Sequence, residues 1–540
     1  MGAFLYKMKN IENNLKKLID IGIALSREKN INILLEKILI EARTISNSDG
    51  GTVYLVIDDG KKLNFEIMQT ESMNLFLGGS HEKVPDSYWP VPLYRDGEPN
   101  NTNVSAVCAL KGKTIKIDDA YLDEKYDFSG TKAFDSKYNY RCKSFLNIPL
   151  KNHKDKVIGV LQLINRNPVY DKKNKKMIST GVYSDEIINL VESLGSQASI
   201  ALTNQLLIEE QKQLFRSFIK LVAEALEKKD AVTGGHCNRV PVLTMMIAEE
   251  INSDKTGLFK DFSFSDDEID EIYVAGWLHD FGKVATPEYI MGKSTKLEGL
   301  YDKIDEIKFR FEILKRDIEI EFYKKAIEES NLNQESINTR LEEVNNDLNF
   351  LEKSNIGGEF MSDELKQRIS EIAKQNITIN GKKTPVLDEN EIDFLSISRG
   401  TLSQNDRKIM EDHVVLTYDL LNKLPYPDHL KQVPFYAGCH HEKINGKGYP
   451  NGYAGDKLPL QARIIAIADV FEGLTAPDRP YKKGYKLSKA LTILKYMVDD
   501  GEIDKDLFDL FITKKLYLKY ANEMVDPNQI DSINETEFLG

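Results

Sequence analysis

Cysteine is scarce in this 540-residue chain: Cys108, Cys142, Cys237 and Cys439 are the only four, and no two stand in C-x-x-C spacing. That excludes a dense disulfide framework and predicts reduced thiols in a cytoplasmic protein. No apolar run approaches the ~20 residues that span a bilayer, and the N-terminus lacks a signal-peptide hydrophobic core, so no membrane partner is expected. Positive charge is in deficit as well. Lys and Arg number 72 against 85 Asp and Glu, giving a net charge of -13 and a pI near 5.4. A nucleic-acid polymer needs a basic surface and is excluded as a partner, whereas an anionic small molecule can still occupy a local cationic site. Histidine is sparse, with eight in all and two in the first 230 residues, so histidine chemistry is confined to the C-terminal half.

At this length two or three domains are expected, each able to bury its own core. Residues up to about 180 mix a helix beginning near NNLKKLIDIGIAL with strand-like GGTVYLVID, KLNFEIMQ, KTIKID, KSFLNIPLK and VIGVLQLINR. Those runs are rich in Val, Ile and Phe and are separated by Gly, Asp and Asn turns, the pattern of an antiparallel sheet. A helix then runs from a predicted N-cap at Ser184 through Lys229 with no Pro- or Gly-rich hinge. From Asp230 onward the pattern reads as helical apart from short loops.

A charged insertion over 297–390 interrupts the helical half. Leu297, Leu300, Ile304, Ile307, Phe311, Leu314 and Ile318 alternate spacings of three and four, the seam of a coiled coil. Ile337, Leu341, Val344, Leu348 and Leu351 repeat it after the polar break ESNLNQES. Two such arms predict an antiparallel helical hairpin ended by Gly357 and Gly358. A hairpin that pairs with itself is the favoured reading over an arm that holds a partner.

Five of the histidines lie in short motifs: GGH at His236, HD at His279 and Asp280, EDH at His413, and the pair His440 and His441. Asp469 follows in the apolar run IIAIADVF. Neutral imidazoles hold divalent ions without cancelling their charge, while a few carboxylates bridge and anchor, so this mixture suits metal-assisted phosphate chemistry. In HDFGK, Asp280 and Lys283 share a helix face if the last turn continues before Gly282. On that motif alone, a metal-bridging aspartate with a phosphate-contacting lysine and a plain helix-terminal lysine are equal readings. Adjacent His440 and His441 can serve one site only where a helix ends, and the turn-rich HHEKINGKGYPNG supplies such an end. Here the ligand reading is favoured.

HDFGK, HHEKINGKGYP and LPLQARIIAIADVFEGLTAPDRPY, in this order, resemble the HD-GYP family of bacterial metal-dependent phosphodiesterases, with the naming triplet at Gly448, Tyr449 and Pro450. The resemblance implies an all-helical HD bundle over 230–525. It also implies hydrolysis of cyclic di-GMP to pGpG or GMP, with some members preferring the mixed cyclic GMP-AMP. Carried over, His236, His279, Asp280 and Asp469 would hold one metal, and Asp280 would bridge to a second completed by His413, His440 and His441. Lys283 would steady a phosphate oxygen as part of the catalytic set, and Arg463 and Arg479 would stand near the substrate. For Arg463, bracing the helix that carries Asp469 is the competing reading. Two divalent transition metals, Fe or Mn, are the implied cofactors. Together they would activate a bridging hydroxide for in-line attack on phosphorus. The family's glutamate four residues before the first histidine is replaced by Val232, so a third metal is not expected. Glu472-Gly473 stands where Asp-Ala is usual.

KTIKIDDAYLDEKYDF, NYRCKSFLNIPLKN and VIGVLQLINR resemble a GAF domain, implying an α+β sensor over 11–183 and a small-molecule ligand of unknown identity. Lys116 replaces the asparagine of the family's cyclic-nucleotide signature, so that ligand class is not expected there. Cys108 and Cys142 read as small core residues. The connecting helix over 184–229 is expected to pair in parallel with its twin in a homodimer and to couple the sensor to the metal site. The leading function is thus a GAF-regulated cyclic dinucleotide phosphodiesterase. The alternatives are a non-catalytic cyclic-dinucleotide receptor and a phosphohydrolase for another nucleotide, such as 3',3'-cyclic GMP-AMP.

Overall fold

The computed structural model describes residues 2–171, 176–179, 181–229, 235–329, 334–358, 360–476 and 484–539. The chain folds as two compact units, Met1–Leu214 and Phe215–Gly540. Among the described residues no helix is long and apolar enough to cross a membrane.

The N-terminal unit is an α+β fold on an antiparallel sheet. Its strands lie in the order Leu75–Leu77, Lys62–Thr70, Ser48–Ile57, Val157–Arg166, Phe145–Lys151 and Ile115–Ile117, and Val91–Pro92 adds a seventh beside Lys62–Thr70. Alternation sorts each strand between two faces. On one face Val53, Leu161, Leu163 and Ile148 pack against Leu34, Ile38 and Leu39 of helix Ile31–Ser46 and Leu194, Ala198 and Leu202 of helix Asp185–Lys229. Asn30 caps the first of these helices by accepting from the amides of Asn32 and Ile33. On the other face Tyr54 and Val160 meet Ala106 and Ala109 of helix Val104–Lys111. Cys108 and Cys142 are buried, and burial pushes both thiols far above their ordinary range, as expected of core residues rather than reactive ones.

The C-terminal unit is a helical bundle. Val240, Ile247, Ile467, Phe471, Leu491 and Phe508 belong to its largest core, on helices His236–Ser253, Leu460–Thr475, Leu487–Asp499 and Lys505–Thr513. Helices Asp266–Leu278 and Gln404–Leu421 begin with capping boxes, Ser265 with Glu268 and Ser403 with Asp406.

The insertion differs from a simple hairpin. Helices Ile304–Glu329 and Gln334–Asn355 pack together, and a third helix, Asp363–Ile372, shares with them a core that includes Ile307, Phe311, Val344, Leu351 and Ile369. Leu300 stands 96% exposed because the helix starts only at Ile304, so the seam does not extend back to it. The region is not wholly helical either. Asn376–Ile379 and Lys382–Pro385 form a β-hairpin around Asn380 and Gly381, both at positive φ (50° and 74°). Asn-Gly suits a two-residue hairpin turn, where the backbone must enter the left-handed region twice. The insertion's two ends are stapled together. Lys293 pairs with Asp406 at 2.8 Å and its carbonyl accepts from Thr401 Oγ1 at 3.0 Å, while Lys296 Nζ donates to Leu395 O at 2.8 Å and Ile397 O at 2.9 Å.

Candidate metal centre

Five helical elements bring the motif residues together. His236 opens helix His236–Ser253, and His279 and Asp280 follow helix Asp266–Leu278. His413 lies within Gln404–Leu421 and Asp469 within Leu460–Thr475. The short helix Val433–Ala437 ends just before His440 and His441, freeing both rings to turn toward one place. His236, His279, Asp280, His413 and His440 are all buried.

The two oxygens of Asp280 face different imidazoles. Oδ2 lies 3.3 Å from Nε2 of both His236 and His279, and Asp469 Oδ1 lies 3.3 Å from the same His236 nitrogen. Oδ1 lies 3.3 Å from His413 Nε2 and 3.9 Å from His440 Nε2. The donor atoms of His236, His279 and Asp280 fall within 4.8 Å of one another, as do those of His413, His440 and His441. One carboxylate thus stands between two nitrogen-rich sets, the arrangement of a bridging ligand.

The far side of each ring fixes its tautomer. Nδ1 of His279 donates to Gly276 O at 2.7 Å, Nδ1 of His440 donates to Ala437 O at 2.6 Å, and Nδ1 of His413 donates to Met410 O. A carbonyl only accepts, so Nε2 carries the lone pair in each neutral ring. His413 Nε2 and His440 Nε2 are buried without a hydrogen-bond partner. Such orphans are costly unless something binds them, and a divalent cation satisfies imidazole lone pairs and two carboxylates together. Burial, reinforced by the neighbouring His441 and His279, holds His440 well below the ordinary imidazole range. Burial likewise pulls His441 down to about 4. Both rings are neutral, as ligands must be. Burial alone would raise Asp280, but Lys283 and His279 outweigh it and hold the carboxyl well below its usual range.

Gly282 explains the close approach of His279 and Asp280 to the His413 helix. A Cβ there would fall 1.9 Å from His413 O and 2.6 Å from Thr417 N. Thr417 clamps the contact, accepting from Gly282 N at 2.8 Å and donating to His279 O at 3.2 Å. Lys283 lies on a 3-10 turn, Phe281–Ala285, with Nζ 2.6 Å from Asp280 Oδ2. Gly448 is equally tight, since a Cβ would meet Lys443 N at 2.4 Å. The loop through Pro450 closes on Glu442, whose carboxylate accepts from Asn451 N at 2.7 Å and Tyr453 N at 3.0 Å. It stacks Tyr449 on His441, with ring centroids 4.9 Å apart.

Arg463 does not join this group. Its guanidinium donates to Leu458 O and Gly455 O and pairs with Asp504 at 2.9 Å, so the expected substrate contact gives way to bracing of the helix that carries Asp469. Arg479 and Val232 lie outside the described residues. Sequence reading names Glu472 only as a departure from the family pattern and gives it no role at the site. Fully buried one turn after Asp469, it accepts from His236 Nδ1 and pairs with Arg239 Nη2 at 2.6 Å. The only signal for it is a charged residue inside an apolar helix, three residues beyond a motif aspartate.

Residues 30–202 match the family described as GAF domain, and residues 390–507 the family described as HD domain. The chain therefore combines a GAF domain with an HD domain. Relatives include 3'3'-cGAMP-specific phosphodiesterase 1 of Vibrio cholerae, 43% identical over 14% of this chain and 18% of that protein. The cyclic di-GMP phosphodiesterase response regulator RpfG of Xanthomonas campestris is 33% identical over 23% of this chain and 33% of its own length. The cyclic di-GMP phosphodiesterase PA4108 of Pseudomonas aeruginosa is 40% identical over 14% and 17%. The chain thus spans a third or less of the length of these curated relatives.

Proposed function

Starting from a chain that joins a GAF domain to an HD domain, we propose that it is a metal-dependent phosphodiesterase that hydrolyses a cyclic dinucleotide under control of its N-terminal unit. Cyclic di-GMP is the leading substrate, with pGpG and GMP as products. The observation that carries this reading is the division of the Asp280 oxygens between two histidine sets. His236, His279, Asp280 and Asp469 would hold one ion, and Asp280, His413, His440 and His441 the other. Imidazole and carboxylate donors without thiolate suit Fe or Mn. Bound there, the ions would supply Lewis acidity and a lowered pKa for water.

The chain's own groups do the rest. The carbonyl bonds at Nδ1 hold the rings of His279, His413 and His440 in place before substrate arrives. The Lys283 ammonium bonds one Asp280 oxygen and has further N–H donors for a phosphoryl oxygen on which charge grows. The mixed cyclic GMP-AMP dinucleotide is the second reading, favoured by the activity for which the 43% identical Vibrio relative is named. We infer in addition that helix Asp185–Lys229 pairs with its counterpart in a homodimer, along the exposed seven-residue repeat of Ile200, Leu207, Leu214 and Leu221.

The test is anaerobic turnover of both cyclic dinucleotides by Mn- or Fe-loaded protein, with products resolved by chromatography. Linear product is expected from the parent protein and none from Asp280→Ala with an unchanged circular dichroism spectrum. Stoichiometric nucleotide binding without cleavage, at two metals per chain, would make the protein a receptor instead.

A further inference from the structure

The stretch of helix Asp185–Lys229 from Phe215 onward belongs to the C-terminal unit. We propose that Glu227, near the end of this stretch, is a positioning residue for the metal centre. It caps the helix that opens with His236, and so makes the aim of His236 depend on the register of the connecting helix. The proposal rests on the metal-centre reading above and names how that site is regulated.

Arg216, Ile219, Ala223 and Glu227 follow one another at spacings of three and four, which places them on one face of the helix. That face is seated on two elements that carry proposed ligands. Arg216 Nε donates at 2.9 Å to Oδ1 of the buried Asp270, on the helix that leads into His279 and Asp280. Ile219 and Ala223 are buried in one core with Cys237, Val274, Trp277 and Leu278. Glu227 ends the row. Its Oε1 accepts from Cys237 N at 3.0 Å and its Oε2 from Asn238 Nδ2 at 3.2 Å.

Helix His236–Ser253 takes this cap from outside because it has none of its own. Its N-cap residue is Gly235, at φ 94°, which offers no side chain to a first-turn amide. Glu227 supplies the missing acceptor and sets a negative charge at the positive end of the helix dipole. His236 directly precedes Cys237, so the cap fixes the backbone from which the ring reaches Asp280 and Asp469, each 3.3 Å from Nε2. Glu472 holds the ring's other nitrogen but not that backbone. Sliding the connecting helix by one residue moves Glu227 by about 1.5 Å and turns it by about 100°. Either change takes the carboxylate out of hydrogen-bond reach of Cys237 N.

Cobalt(II) titration of the intact protein, followed by visible d–d absorption and elemental analysis, tests the proposal without turnover. The parent should bind two ions per chain. Glu227→Ala should weaken one of them by at least about tenfold and alter its absorption bands, with the other held within about threefold. Glu227→Gln keeps an amide oxygen for Cys237 N and should recover most of the lost affinity. Glu224→Ala removes the same charge from the same helix, at a residue paired with the exposed Lys220 at 3.8 Å, and should bind as the parent does. If Glu227→Ala does not fold, Glu227→Asp, which keeps the charge but withdraws it by one methylene, should show the same selective loss. Two ions held at parental affinity by the Ala or Asp variant would overturn the proposal, whatever happens to the melting temperature. An equal loss in Glu224→Ala would overturn it as well. A parent that binds no cobalt defeats the metal-centre reading and this proposal with it. A parent that binds two ions yet cleaves no dinucleotide defeats the phosphodiesterase reading alone.

Discussion

A buried carboxylate that faces four imidazoles and an ammonium is stable only as an anion, and Asp280 is held that way by Lys283, His279 and His236. Glu472 does for His236 what backbone carbonyls do for the other rings, but with a full charge. Burial would lower the His236 pKa; the charge of Glu472 outweighs it and makes the ring a stronger base, hence a stronger donor to a cation. Glu472→Gln should therefore weaken metal binding at the His236 set by about 10–100-fold. The expected outcome is close to one tightly held Mn per chain after dialysis, in place of two, measured by elemental analysis. Two retained ions would refute the role. The proposed ligand set is legible in the sequence because HD, EDH and HH are rare clusters in a chain with eight histidines. Glu472 and Arg239 are not, because an orienting pair has no fixed spacing and is recognised only when helices His236–Ser253 and Leu460–Thr475 lie side by side.

Helix Asp185–Lys229 carries two faces. Leu194, Ala198, Leu202, Ile219 and Ala223 are buried within their own units, whereas Ile200, Leu207, Leu214 and Leu221 recur every seven residues and stand exposed. Asn204, Gln211 and Phe218, all exposed, complete alternating steps of four and three along that second face. A seven-residue apolar repeat left in water is self-complementary. Leucine at the d-type positions and a polar amide at a-type positions favour two parallel strands in one register. A second copy of this chain is the occupant that fits. Sedimentation equilibrium should give a dimer for the parent and a monomer for Leu207→Asp with Leu214→Asp. An unchanged dimer would move the interface elsewhere. The periodicity of this helix is open to reading from sequence, but which stripe faces solvent is not. In the insertion the heptad pattern runs on past the helix start to Leu300, because spacing alone does not mark where a helix begins. Asn380-Gly381 is a hairpin signal that the helical pattern around it conceals.

The two units draw their hydrophobic clusters from separate stretches of chain. Those of the N-terminal unit lie at or before Leu206, and those of the C-terminal unit at or after Phe215. The HD match covers 390–507, yet His236, His279 and Asp280 lie before the insertion. Lys293 with Asp406, and Lys296 with the carbonyls of Leu395 and Ile397, close that gap, so about a hundred inserted residues leave the proposed ligands within one centre. The ligand-bearing elements precede or follow a segment with its own core, and metal binding acts on their common bundle. A ligand that binds only the native state stabilises by RT ln(1 + [L]/Kd), about 2.7 kcal/mol at a hundredfold excess over Kd. Two cooperative transitions are therefore expected in differential scanning calorimetry. Mn should raise the one belonging to Phe215–Gly540, and chelation should lower it, with the other unmoved. A single transition that shifts with Mn would show that the units unfold as one cooperative body, and the connecting helix would then carry stability as well as any signal.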